Sequence, residues 1–152
     1  MSIKKLTLLM GLSVFLVGCS TGYNGDYMQS LHETNTQKGA RYLLGRGVQQ
    51  DNRQAFSYFS KGAEEGDAHA QNEIAYMYAA GKGTTQDRAK ALFWYKRAAE
   101  HGLPSAQCNL GLMYLHGLGT APNRTLALKW LQKSADQGFE PARVKLAQLR
   151  SS

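Results

Sequence analysis

The sequence aligns with itself at a spacing of 36 residues, and no other feature constrains the fold as much. With Ala70 set over Ala106, Gly81 falls on Gly117, Gly83 on Gly119, Tyr78 on Tyr114, Ala91 on Ala127, Trp94 on Trp130, Ala99 on Ala135 and Gly102 on Gly138. One step back meets Tyr42, Gly45, Gly47, Asp51, Ala55, Tyr58, Ala63 and Gly66, so the same unit begins near Thr34 with a weaker first half. Units of about 34–69, 70–105 and 106–141 follow, and 142–150 adds one closing helix within a repeat domain of 36–150.

Inside each unit the spacing is helical. Ala70, Ile74, Met77 and Tyr78 recur at i, i+4, i+7 and i+8, and Ala91, Leu92, Tyr95, Ala98 and Ala99 repeat that pattern, which puts an apolar stripe on each of two helices. Small residues at Ala75, Gly111, Ala91, Ala127, Ala99 and Ala135 allow close helix approach, while Tyr78, Trp94, Tyr114 and Trp130 fill wider gaps. A hairpin of two such helices cannot bury its stripes alone, so neighbours must stack. The expected fold is an all-α solenoid of helical hairpins.

The segment between the helices, GKGTTQD at 81–87, has the look of a phosphate-binding loop, but it departs from G-x-x-x-x-G-K-[ST] twice. Tyr76 stands where the first glycine is required, and Gly83 replaces the hydroxyl that would hold magnesium. Its counterparts GRGVQQD at 45–51 and GLGTAPN at 117–123 change the lysine to arginine and then leucine while keeping both glycines. A hinge between antiparallel helices needs only those glycines at positive φ and a capping Asp51, Asp87 or Asn123.

The N-terminus carries a separate signal. Lys4 and Lys5 precede an apolar run from Leu6 to Val17 that is short for a membrane span and ends at Gly18 and Cys19, as an export signal does. LVGC at 16–19 resembles the lipobox of bacterial lipoproteins, which implies cleavage before Cys19, acylation of Cys19 and a mature chain held on a membrane by its lipid. Residues 1–18 are then a signal peptide and 19–35 a polar tether. With Ser20 next to the cysteine, the resemblance implies the outer membrane and a domain facing the periplasm. The mature chain would carry 16 basic against 11 acidic side chains, about +5, dispersed along the sequence, which fits a solvated surface or attraction to anionic headgroups or an acidic partner. Nucleic acid is not an expected partner of an exported chain.

The repeat units resemble Sel1-like repeats, relatives of the tetratricopeptide repeat with a pattern near A-x3-L-G-x2-Y-x2-G-x-G-V-x2-D-x3-A-x2-W-x3-A-A-x2-G, over roughly 34–149. The first unit departs with Lys38 and Gly39 where Ile74 and Ala75 stand later, and the third places Asn123 at the position of Asp51 and Asp87. The resemblance implies a protein–protein interaction scaffold, an adaptor of the bacterial envelope that binds another envelope protein through the concave face. It also leaves open an immunity protein blocking a toxin delivered by a neighbouring cell. A β-lactam or cell-wall enzyme is the remote alternative, since members with that association carry a cysteine pair in each repeat and this chain has only Cys19 and Cys108.

By analogy with tetratricopeptide repeats, the first helix of each pair lines the concave side. Its outward positions are expected to be Asn72, Tyr76, Ala79 and Ala80, then Cys108, Leu112, Leu115 and His116. Leu112 and Leu115 lie off the core stripe of Ala106, Leu110, Met113 and Tyr114, so they either form a small apolar groove or pack on a neighbouring helix or the tether. Nothing near Cys108 compels a low thiolate pKa, which favours a buried, inert cysteine over a reactive one. His32, His69, His101 and His116 show no metal-ligand spacing, and no Ser–His–Asp constellation is evident. The expectation is a binding protein without catalytic residues, cofactor, metal or small-molecule substrate.

Overall fold

The computed structural model describes residues 33–151, and the expected signal segment, the lipidation site Cys19 and most of the tether lie outside the described residues. From Thr34 onward the chain forms one unit of antiparallel helix pairs: α1 (Asn35–Leu44) with α2 (Asn52–Glu64), α3 (Ala68–Ala80) with α4 (Arg88–Glu100), and α5 (Pro104–His116) with α6 (Arg124–Asp136). A last helix, α7 (Glu140–Ser151), packs on α6. Each helix packs chiefly on the one before and the one after it, as expected of a stacked array.

Local chemistry sets where each helix starts and stops. Thr34 caps α1 with a capping box, its hydroxyl accepting from the Gln37 amide while the Gln37 side chain accepts from the Thr34 amide. Asp51, Asp87 and Asn123 cap the second helices, accepting from Arg53 and Gln54, from Lys90 and from Leu126. Leu103 offers no capping side chain to α5, where Pro104 supplies a pre-set φ instead. Each first helix ends on a left-handed glycine, Gly45, Gly81 or Gly117. The hinge then closes on the helix it leaves, because the amides of Asp51, Asp87 and Asn123 donate to the carbonyls of Tyr42, Tyr78 and Tyr114.

Packing follows the repeat with compensating sizes. Ala75 and Tyr95 share one core cluster, whereas at the same positions Gly39 faces Phe59 and Gly111 faces Leu131. A Cβ on Gly39 would lie 2.8 Å from the Phe59 ring, so the departure at Gly39 is the complement of a larger partner. Gln71 and Gln107, both buried, reach back to the Ala63 and Ala99 carbonyls that end the second helix of the preceding hairpin. At each stack Ile74 and Met77, or Leu110 and Met113, are buried, each worth roughly 1.5–3 kcal/mol when fully buried.

The other departure in the first unit, Lys38, also has a structural reason. Ile74 and Leu110 are the buried residues with which α3 and α5 meet the preceding hairpin. No hairpin precedes α1 among the described residues, and its equivalents of Ala70, Ile74 and Met77 are the polar Thr34, Lys38 and Arg41. On this side of α1 the repeat therefore carries polar side chains where the later units carry their apolar seam, and the Arg41 Nε atom is itself buried.

The second glycine of each hinge has a role beyond its positive φ. Gly83 lies against the first residue of α2, and an added Cβ would overlap the Asn52 carbonyl; Gly119 stands in the same relation to the Arg88 carbonyl at the start of α4. Gly47, at φ +68° like Gly83 at +67°, has nothing within 4 Å of such a Cβ. Hinges of later units therefore dock on the preceding hairpin through a bare glycine.

Candidate partner-binding surface

The eight positions expected to face outward from α3 and α5 divide into three groups. Tyr76, Ala80 and His116 are exposed, and Tyr76 is one of few large apolar side chains so placed, at 41% of its full area. Asn72, Ala79, Leu112 and Leu115 are half-buried. Cys108 is buried, which corrects its expected outward position.

The physical reason lies in how the first helices sit beside one another. Asn109 on α5 donates to Asn72 on α3 at 3.3 Å, so the position shared by Asn72 and Cys108 falls between adjacent first helices. At Cys108 the adjoining surface is apolar: the thiol packs with Leu131, Ala142 and Leu146, and Leu112 joins the same cluster. Burial pushes the Cys108 thiol above its ordinary value, so it is held protonated and out of reach. Leu112 thus takes the second of its two expected settings, packed against neighbouring helices, and of the two leucines Leu115 alone contributes to an outward apolar rim. Ala79 packs against the central core cluster.

What is left facing outward is a narrow strip of Tyr76, Ala80, Leu115 and His116. The Lys82 ammonium lies 4.9 Å from the centre of the Tyr76 ring, giving the strip a cation–aromatic contact. Lys82 was legible in the sequence only as a hinge residue. It lies beyond the glycine that ends α3, where helical spacing no longer says which side chains meet.

Such a strip offers area and polarity to a partner surface. With the geometry established, comparison with known proteins places the chain. The Sel1 repeat matches at residues 39–67, 68–103 and 104–139, in step with the three hairpins. The chain belongs to the Sel1 repeat family. Among solved structures, a Sel1 repeat protein from Oxalobacter formigenes is 39% identical over 75% of this chain and 86% of its own, with a TM-score of 0.69. A protective antigen present in uropathogenic Escherichia coli strains, displaying an SLR fold, is 34% identical over 77% of this chain, with a TM-score of 0.75; the match spans 25% of that antigen's own length. Cysteine rich protein B of Helicobacter pylori, at 23% identity and a TM-score of 0.64, shares the fold. Comparison with curated proteins gives no match. Sel1 repeats are protein–protein interaction scaffolds, and that is the class to which the three hairpins assign this chain.

Proposed function

We propose that this chain is a lipid-anchored scaffold of the bacterial cell envelope that holds another envelope protein against its row of first helices, and that it binds rather than catalyses. The observation that carries the reading is the exposed Tyr76 on α3, with Lys82 over its ring and Ala80 beside it, on a fold whose other first-helix positions are largely taken up by packing between neighbours. Aromatic side chains of this kind, large and with few torsions to freeze, are the usual anchors of protein interfaces. The envelope location is supported by the lipobox-like LVGC at 16–19 and the basic, apolar segment before it. A relative described as a protective antigen is in keeping with export.

Two experiments test the two halves separately. Cys19→Ala is expected to abolish labelling by a palmitate analogue, and persistent labelling would remove the anchor. Tyr76→Ala combined with His116→Ala is expected to abolish partner capture from crosslinked cells while the helical circular dichroism is unchanged. Undiminished capture would move the interface off this strip.

A further inference from the structure

The two sets of helices differ in charge. On α2, α4 and α6 nine basic side chains face three acidic ones, with α4 alone carrying Arg88, Lys90, Lys96 and Arg97 against Glu100. The first helices α1, α3 and α5 together carry Lys38 and Arg41 against Glu73. The three carboxylates on the second helices, Glu64, Glu100 and Asp136, are each the last residue of their helix; Glu100 pairs with Lys96 at 3.9 Å, and Asp87, which caps α4, pairs with Lys90 at 3.7 Å, so the cations still outnumber them.

The C-terminal halves of these helices repeat one arrangement, with Lys61, Arg97 and Lys133 each in the last turn. The Lys61 ammonium lies 5.5 Å from the Tyr58 ring centre, the Arg97 guanidinium 5.7 Å from that of Trp94, and the Lys133 ammonium 4.7 Å from that of Trp130. Each cation is exposed over a half-buried ring, three residues on and one repeat from the next. Phe93 stands 53% exposed at the centre of this row, edge-on to Trp94 and also under Arg97. Beyond filling gaps between helices, Trp94 and Trp130 thus present a second face, whose signal in the sequence is the aromatic-x-x-basic spacing present in all three units.

We propose that this face, formed by α2, α4 and α6, docks on an anionic phospholipid bilayer. Positive charge spread over three helices, and not concentrated at one spot, matches a surface that supplies continuous negative charge without a particular shape. Half-buried tryptophan and tyrosine rings under lysine and arginine suit the headgroup layer, where an apolar body and a charged tip are both satisfied, and Phe93 supplies an apolar contact below the headgroups. The inference does not depend on acylation of Cys19 or on the partner strip of α3 and α5, which docking would leave facing away from the α2, α4 and α6 side.

The protein carries its own reporters, because its two tryptophans, Trp94 and Trp130, both lie on this face. The full chain is mixed with vesicles of phosphatidylcholine alone or with added phosphatidylglycerol, each containing brominated lipid that quenches tryptophan on contact. The N-terminal segment holds no tryptophan, so its own insertion in either vesicle type would add no direct signal. Quenching in the anionic vesicles only, reversed by salt, is the expected result. Replacing Lys61, Arg97 and Lys133 by glutamine should weaken partitioning about a hundredfold, at roughly fivefold per side chain. The hinge changes Arg46→Gln with Lys82→Gln should have at most a few-fold effect. If circular dichroism shows the triple variant unfolded, Arg97→Gln alone is expected to lose about fivefold. Equal quenching in both vesicle types, or none, overturns the proposal, as does a triple or single variant that partitions like the wild type. A tryptophan shift with poly-glutamate and none with vesicles overturns it in favour of an acidic protein partner.

Discussion

Replacing Gly83 by alanine should destabilise the solenoid far more than the same change at Gly47, although the two glycines have nearly the same φ. The left-handed conformation alone costs an alanine about 1–2 kcal/mol, and this part is common to both sites. At Gly83 the new methyl group also overlaps the Asn52 carbonyl, which is main chain at the start of α2 and cannot rotate aside. Relief requires the hinge to lift from α2, a form of overpacking that costs about 1–3 kcal/mol. Gly83→Ala and Gly119→Ala, the latter against the Arg88 carbonyl, should therefore each lose about 2–5 kcal/mol, and Gly47→Ala about 1–2 kcal/mol. Urea unfolding followed by circular dichroism at fixed protein concentration measures the difference directly. If Gly47→Ala lost as much as Gly83→Ala, the glycine would be serving φ alone, and docking of one hairpin on the next through the hinge would be refuted.

Three further outcomes follow from specific contacts. Asn35 donates to Glu65 and Gln137 to Gln107, but the equivalent buried Gln71 Oε1 has no hydrogen-bond partner, and His101 holds the position that Gln137 takes one repeat later; His101→Gln should add about 1 kcal/mol in the same urea assay, and a loss would refute the pairing. Burial tends to raise the Asp67 carboxyl, but the Thr36 hydroxyl and the His69 and Ala70 amides outweigh it and hold the group below its ordinary value. A depressed carboxylate adds stability above its unfolded value that is lost as pH falls through the folded one, so Thr36→Val should flatten the decline of the unfolding midpoint below about pH 4, and an unchanged acid limb would refute the link. Cys108 should react with a thiol reagent at least tenfold more slowly in the native protein than in denaturant, and equal rates would contradict its burial among Leu131, Ala142 and Leu146.

The helical hairpins and their ends were legible because their causes are local. Left-handed glycines at Gly81 and Gly117 and the caps at Asp87 and Asn123 act within a turn or two of their own position, and the 36-residue register repeats them. Contacts between units were not legible in the same way. That Gly83 meets Asn52 and Gly39 meets Phe59 depends on residues 20 to 31 positions away, and helical periodicity says nothing of which ring faces which glycine. Cys108 shows the limit most clearly: a helical wheel for α5 alone turns it outward, but stacking of α7 on α6 brings Ala142 and Leu146 over it. The partner strip was half legible, since exposed Tyr76 and His116 stand where single-helix reasoning put them and Leu112 does not.

The central claim is that the row of first helices holds a second protein. A photo-crosslinking amino acid placed at Tyr76 in living cells, with Phe93 and Leu44 as comparison sites, tests it most directly, because all three positions are exposed and tolerate the change without disturbing the core. One discrete protein adduct is expected from position 76, absent from 93 and 44 and suppressed by His116→Ala. Adducts equal at all three positions, or confined to 93 or 44, would contradict it.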